Sequence, residues 1–265
     1  MRLIDTHSHI YSEAFEGEHE AMIQRAFDLG VEKIYMPNID LDSVDAMKKI
    51  HDMYPDRCLM MMGLHPCSVD ANVKEVLPQI KAFLEDGSDY YAVGEIGIDL
   101  YWDKTHLAEQ EWAFREQIQW AKDRSLPIVI HCRDAFDEIL AIMDEVNDDD
   151  LKGIFHCFTG GIEQAKHILG YGGFKLGIGG VVTFKNAGLD KVVGQLSMDD
   201  LVLETDAPYL APHPYRGKRN EAAYVKEVAL KLADIFGKSV EEVGEISRSN
   251  ALSIFEPNHK EIESN

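Results

Sequence analysis

Six side chains able to ligate a divalent metal stand at the ends of short apolar runs in this 265-residue chain: His7 and His9 in DTHSH, Glu95 in GEIG, His131 in HCRD, His156 in HCFTG and Asp206 in ETDAP. In extended backbone successive side chains point to opposite faces, so His7 and His9 offer both imidazoles to one side and Ser8 to the other. A single His or Glu at a strand end is ordinarily solvated. Four imidazoles and two carboxylates converging on one place are different, because their lone pairs and charge are poorly compensated without a cation. Six ligands exceed the three or four that a catalytic zinc takes while keeping an open position, which predicts two divalent ions. One would use His7, His9 and Asp206, the other His131 and His156, with Glu95 suited to bridge. Two ions about 3.5–4 Å apart activate water and stabilise the attacking and leaving oxygens of a phosphoryl displacement. Asp206 is a candidate to accept the proton of that water. The histidine content favours Zn, Mn, Fe or Ni over an all-oxygen Mg cage, but ligand type does not choose among these four, and the identity of the ion stays open.

Around these stand groups of a second kind. His65 follows a run in GLHP, Arg133 lies two residues beyond His131, and Arg216, Lys218 and Arg219 sit in RGKR. A guanidinium beside dications makes sense if an anion lies between them, and Arg pairs with phosphate bidentately. His65, Arg133, Arg216, Lys218 and Arg219 are therefore the candidate substrate contacts. Asp5 and Glu204 share parity with His7 and Asp206, which makes them candidates to orient ligands. Cys132 and Cys157 alternate with their neighbouring histidines and are expected to pack between barrel and helices.

The elements that must position these groups are legible in the apolar pattern. Runs at residues 2–7, 31–36, 58–64, 91–96, 127–131, 152–156, 174–178 and 201–205 alternate with amphipathic segments at 18–29, 41–53, 73–85, 106–124, 135–145, 162–170 and 189–196. Eightfold strand–helix alternation is the pattern of a (β/α)8 TIM barrel, in which the ends of parallel strands carry the reactive groups. A doubly wound open sheet has the same alternation. Two further helices are expected at 222–236 and 240–255, the second opened by a Ser239-x-x-Glu242 capping box, with residues 256–265 a fraying tail. Nothing marks a second domain, so 1–265 is read as one unit.

Acidic residues outnumber basic ones by 47 to 26, a net charge of −21, with 45% hydrophobic content. That balance excludes disordered, collagenous and coiled-coil chains. No apolar stretch approaches the ~20 residues that cross a bilayer. The opening MRLIDTHSHI lacks a basic region followed by an apolar one, so a cytoplasmic location is expected. Cys58, Cys67, Cys132 and Cys157 form no CxxC pair, which fits reduced thiols. Net acidity disfavours coating of long duplex, which rests on clustered Lys and Arg. It is compatible with short or single-stranded ends gripped at one metal-bearing mouth, and with a monomer.

In order and context, DTHSH, GLHP, GEIGID, HCRDA, HCFTG, ETDAP and RGKRNE resemble the TatD-type metal-dependent deoxyribonucleases, within the wider metallo-dependent hydrolase barrels. The resemblance spans nearly the whole chain. It implies a TIM barrel with a two-metal centre at His7, His9, Glu95, His131, His156 and Asp206 that hydrolyses DNA phosphodiesters as an exonuclease, with His65 and Arg133 near the scissile phosphate. One departure stands out: Ala222 follows Asn220-Glu221 where the family usually has proline, which predicts a looser loop around Arg216, Lys218 and Arg219. An amidohydrolase or esterase of the same barrel type, including an aminoacyl-tRNA deacylase, is the alternative enzyme. Related sites often bridge their metals with a modified lysine on the fourth strand, and Glu95 at that position favours the nuclease branch. A metal-stabilised scaffold is the non-enzymatic alternative.

Overall fold

The computed structural model describes residues 1–257. Eight strands occur in chain order: β1 (Leu3–Asp5), β2 (Val31–Pro37), β3 (Cys58–Met62), β4 (Tyr90–Asp99), β5 (Ile128–Arg133), β6 (Gly153–Phe155), β7 (Phe174–Ile178) and β8 (Leu201–Leu203). Each pairs in parallel with the next, in the spatial order β1 to β8. The sheet closes on itself, because Thr6 N–H donates to Leu203 O at 3.0 Å and Asp206 N–H to His7 O at 2.9 Å. This is the TIM barrel, and closure removes the doubly wound alternative.

Between the strands run α1 (His19–Asp28), α2 (Val44–Met53), α3 (Val73–Phe83), α4 (Leu107–Arg124), α5 (Phe136–Val146), α6 (Ile162–Gly170) and α7 (Leu189–Val193). Beyond β8 come α8 (Val225–Phe236) and α9 (Val240–Phe255). The capping box that opens α9 is formed: Ser239 Oγ accepts from Glu242 N–H at 3.2 Å and Glu242 Oε2 accepts from Ser239 N–H at 2.8 Å.

Strand alternation sorts the core into two layers. Leu3, Ile34, Met60, Met62, Ile128, Ile130, Phe155, Leu176 and Leu203 point outward and pack beneath the helices. Ile4, Tyr35, Leu59, Met61, Ala92, Val129, Ile154 and Val202 point inward and fill the barrel. The end of α9 enters that inner layer, where Phe255 stacks on Tyr35 with ring centroids 3.9 Å apart. Apolar burial thus closes the amino-terminal end of the barrel and leaves the carboxyl-terminal mouth for polar groups. Glu256, placed by sequence in a fraying tail, is held here: its Oε1 accepts from Lys33 Nζ at 2.5 Å and Tyr35 OH at 2.6 Å. The rest of that expected tail, from residue 258, lies outside the described residues.

Strand four is longer than its apolar run. Val93 pairs with Ile128 but Ile96 with Ile130, so three residues of β4 oppose two of β5. Val93, Ile96 and Ile98 all point outward in consequence. Glu95, which simple alternation from Val93 would turn into the helix layer, faces the interior instead, followed on the same side by Gly97 and Asp99. A bulge of this kind re-aims a side chain without breaking the sheet. Gly97 sits at φ 143°, and a Cβ there would lie 2.0 Å from His131 O. Only glycine lets β4 approach β5 this closely beside the site.

Candidate metal centre

The ligand candidates from five strand ends meet in one buried cluster. Glu95 is its hub, and its two oxygens face different partners. Oε2 lies 3.0 Å from His7 Nε2 and 3.5 Å from His9 Nε2. Oε1 lies 2.7 Å from His131 Nδ1, 2.7 Å from His156 Nε2 and 3.2 Å from His65 Nε2. Asp206 joins the first side, with Oδ1 3.8 Å from His7 Nε2 and 3.6 Å from His9 Nε2. The His7 and His156 rings stack between the two sides at 3.8 Å.

These positions are built by short-range chemistry at the strand ends. His7 and His9 lie two and four residues past β1, His156 one residue past β6 in a turn, and Asp206 three residues past β8. Asp206 adopts φ 56°, a left-handed conformation that Asp tolerates better than most residues. Its carbonyl accepts from Tyr209 N–H at 2.8 Å. Asp5 Oδ1 accepts from Thr205 N–H at 2.9 Å and its Oδ2 from Thr205 Oγ1 at 2.6 Å, locking β1 to β8 beneath the ligands. Glu204 Oε1 accepts from Cys157 N–H at 2.5 Å and fixes the turn that carries His156. Asp5 thus holds Thr205 and, through its Oδ1 at 3.3 Å, the His7 N–H, whereas Glu204 also faces a ligand ring, with Oε1 3.7 Å from His156 Nδ1. Cys132 packs against the barrel–helix core as expected. Cys157 does not: it sits at φ 45° past the end of β6, where burial and the charges of Asp206, Glu204 and Glu95 push its thiol up.

Three groups that act on the site are not singled out by the sequence pattern. Asp99 Oδ2 lies 2.8 Å from His131 Nε2. Burial pushes its carboxyl up, but the hydrogen bond from His131 and those from the Trp102 and Tyr101 N–H groups hold it down at about 2. Gln117 clamps Leu64, accepting from its N–H at 2.7 Å and donating to its carbonyl at 3.3 Å, one residue before His65. Gln110, two turns earlier on the buried face of α4, clamps Asp99 in the same way at 2.8 and 3.3 Å. Parity along GEIGID would have found Asp99, since it follows Glu95 and Gly97 on one face. Two buried glutamines in a helix carry no such signal.

The electrostatics of the cluster suit a cation. Burial opposes the ionised form of Glu95, yet the charges of His156, His65 and His7 and the hydrogen bond from His131 hold its carboxyl well below the usual range. Burial also opposes the charged form of His156, which Glu95 and Glu204 raise well above the ordinary histidine value. His7 and His65 are pushed down, chiefly by burial. His7 Nδ1 and His156 Nδ1 are buried without a hydrogen-bond partner, and His156 Nε2 lies 3.3 Å from His131 Nδ1. Imidazole nitrogens this close, around one buried carboxylate, are the donor set that divalent transition metals take. Ligand atoms within 4.8 Å of one another group as His7, His9 and Glu95, as His7, His156 and Asp206, and as His65, Glu95 and His131.

Asp99 makes a testable contribution to such a site. Its carboxylate can accept a hydrogen bond from His131 Nε2–H, which in a metal-loaded site would leave the Nδ1 lone pair free on the side of Glu95. In Asp99→Asn the oxygen stays on the Tyr101 and Trp102 N–H groups, so the amide NH2 faces Nε2 and drives the proton to Nδ1. Metal affinity should fall about 10–100-fold, read by chelator competition. Unchanged affinity would remove Asp99 from this role.

The predicted substrate contacts are dispersed. Arg133 reaches the rim, where its guanidinium lies 3.8 Å from the centroid of the Tyr101 ring. Arg216 lies 3.7 Å over Phe184. Arg219 is taken up within the chain, donating to Ala14 O at 2.6 Å and Glu18 Oε2 at 2.9 Å. Lys218 is exposed, with its backbone N–H on Tyr215 O. Next to Ala222 the chain is tied down: Asn220 Nδ2 donates to Thr205 O at 2.7 Å and Tyr209 O at 2.6 Å, and Arg25 pairs with Glu221 at 2.6 Å. Ala222 itself is buried at the start of a 3-10 turn.

A TIM barrel with this cluster at its carboxyl-terminal mouth defines a hydrolase of the metal-dependent barrel class. A family model described as TatD related DNase matches residues 4–256, and the chain belongs to that family. It is 39% identical over 257 residues to the uncharacterized metal-dependent hydrolase YabD of Bacillus subtilis (strain 168), across 97% of this chain and 100% of the relative. It is 29% identical to the 3'-5' ssDNA/RNA exonuclease TatD of Pectobacterium parmentieri, across 96% of this chain and 99% of the relative. The crystal structure of YJJV, a TatD homolog from Escherichia coli K12, superimposes with a TM-score of 0.89 over 96% of this chain and 98% of that one, at 29% identity.

Proposed function

We propose that the protein hydrolyses phosphodiester bonds at the ends of single-stranded DNA as an exonuclease, using two divalent ions. The observation that carries this reading is the division of Glu95, one oxygen toward His7 and His9 and the other toward His131 and His156. A carboxylate divided in this way would be suited to bridge two ions. His7, His9 and Asp206 would complete one ion's set and His131 and His156 the other's. Similarity to a relative named for ssDNA and RNA exonuclease action supports a nucleic-acid substrate.

Ions bound there supply Lewis acidity toward phosphoryl oxygens and lower the pKa of water. The chain's own groups do the rest. Burial opposes ionisation of Asp206, but the hydrogen bond from His9 and the charges of His156, His7 and His9 hold its carboxyl below the usual range. It is a carboxylate at neutral pH, ready to take the proton of the attacking water at Oδ1 or Oδ2. His65, on the Oε1 side of Glu95, and Arg133 at the rim are placed to hold the phosphate, with Arg216 and Lys218 presenting positive charge on the loop after β8. Burial of the cluster excludes bulk water and strengthens each of these interactions.

A substrate panel tests this reading. Metal-loaded protein should degrade an end-labelled single-stranded oligodeoxynucleotide, with activity lost to chelator. Turnover of an amide or aminoacyl ester with no cleavage of any phosphodiester would overturn it in favour of an amidohydrolase or esterase.

A further inference from the structure

We propose that Trp102 and Tyr101 form a stacking platform for a nucleobase beside the metal centre. This rests on the nucleic-acid reading above and names a part of the substrate that the ligand cluster does not touch.

The platform is built onto the ligand shell. Asp99 binds His131 through Oδ2 at 2.8 Å, while its Oδ1 accepts the backbone N–H of Tyr101 at 3.0 Å and of Trp102 at 3.3 Å. One carboxylate therefore fixes both a ligand imidazole and the loop that carries the two rings. The rings meet edge to face, with centroids 4.8 Å apart. Trp102 is 70% exposed and Tyr101 53%, while most large apolar side chains of the described residues are buried. Leaving an indole in water forfeits the stabilisation that its burial would bring, which a ligand can recover.

The neighbouring charge identifies that ligand. Arg133 lies 3.8 Å from the Tyr101 centroid and 5.5 Å from that of Trp102. A guanidinium stacked on aromatic rings keeps its N–H edge for an anion. Single-stranded nucleic acid presents both complements together, an anionic phosphate and an aromatic base, and sites for it combine cationic grooves with aromatic platforms. A protein partner fits poorly, since two aromatic side chains offer about 300–500 Å², well under the ~800 Å² per partner of a stable interface. On the far side of the cluster Tyr209, 55% exposed, lies 6.1 Å from the His9 ring. A strand crossing the metal mouth would find an aromatic surface on either side of the scissile phosphate.

The test uses the full-length, metal-loaded protein and end-labelled single-stranded oligodeoxynucleotides carrying one abasic residue at each of the first three positions from either end. Trp102→Ala should raise KM for the intact strand about tenfold while kcat changes little, because base–aromatic stacking acts in binding. Trp102→Phe should recover most of the loss. For the wild type, one abasic position should impose a similar rise, and in Trp102→Ala that position should cost nothing further, since the two changes remove one contact. DNA cleavage with unchanged KM in Trp102→Ala, or with fully additive penalties, overturns the platform and leaves the phosphodiesterase reading standing. Absence of cleavage of every DNA strand overturns both.

Discussion

Glu95→Ala should lower phosphodiester turnover by at least about a thousandfold, a loss on the order of 4 kcal/mol of transition-state stabilisation, and should strip the protein of most bound metal. Both carboxylate oxygens are engaged, and five imidazoles lie within 3.5 Å of one or the other. Without Glu95 the two ligand sets lose their shared anion, and the two proposed ions would lose the carboxylate between them. His156 loses the largest of the charges that raise it, while His131 keeps its contact with Asp99 at 2.8 Å, so neither need remain as a buried unpaired charge. The fold should therefore survive, with far-UV circular dichroism unchanged and metal analysis and turnover both collapsed. Turnover within tenfold of wild type would remove Glu95 from the centre.

Asp206→Asn separates ligation from proton transfer. The amide oxygen can still face His7 and His9, but it cannot take a proton from water. The expected result is a fall in kcat of about 10²–10⁴ with KM changed little and part of the metal retained. Thermal unfolding should stay near wild type, because the side chain is partly exposed and the backbone bonds from Asp206 N–H and to its carbonyl are untouched. A normal kcat would return Asp206 to a purely structural role.

The parts of this centre differ in how far sequence exposes them. The eight apolar runs predict the barrel because parallel strands buried on both faces must be almost continuously apolar. His131 and, one residue past its strand, His156 follow from parity with the inward residues Val129 and Ile154, whereas Asp206, beyond β8 in a left-handed conformation, is found by its motif. Glu95 is found by its place in a motif, while its inward direction depends on a bulge that apolar periodicity does not encode. Asp99 is hidden because β4 runs past the end of its apolar run. The Gln110 and Gln117 clamps read as ordinary polar positions on a helix, and only the packed structure shows each amide closed on one residue's backbone. Charge alone misleads at Arg219, whose partners Ala14 and Glu18 come from the far end of the chain. Cys157 escapes the alternation rule because β6 stops at Phe155, two residues before it. Sequence pattern thus locates groups along strands well, and fails where a bulge, a turn or a long-range ion pair decides where a side chain goes.

The central claim is that Glu95 joins two ions in one phosphodiesterase centre, and titrating activity against metal tests it most directly. Protein stripped with chelator and dialysed would be loaded with increasing equivalents of a divalent metal such as Mn or Zn, and cleavage of an end-labelled single strand measured at each step. Activity should rise to a break at two equivalents per chain and move to no other value when the protein concentration is changed. A break at one equivalent, or cleavage in the stripped protein, would contradict the account.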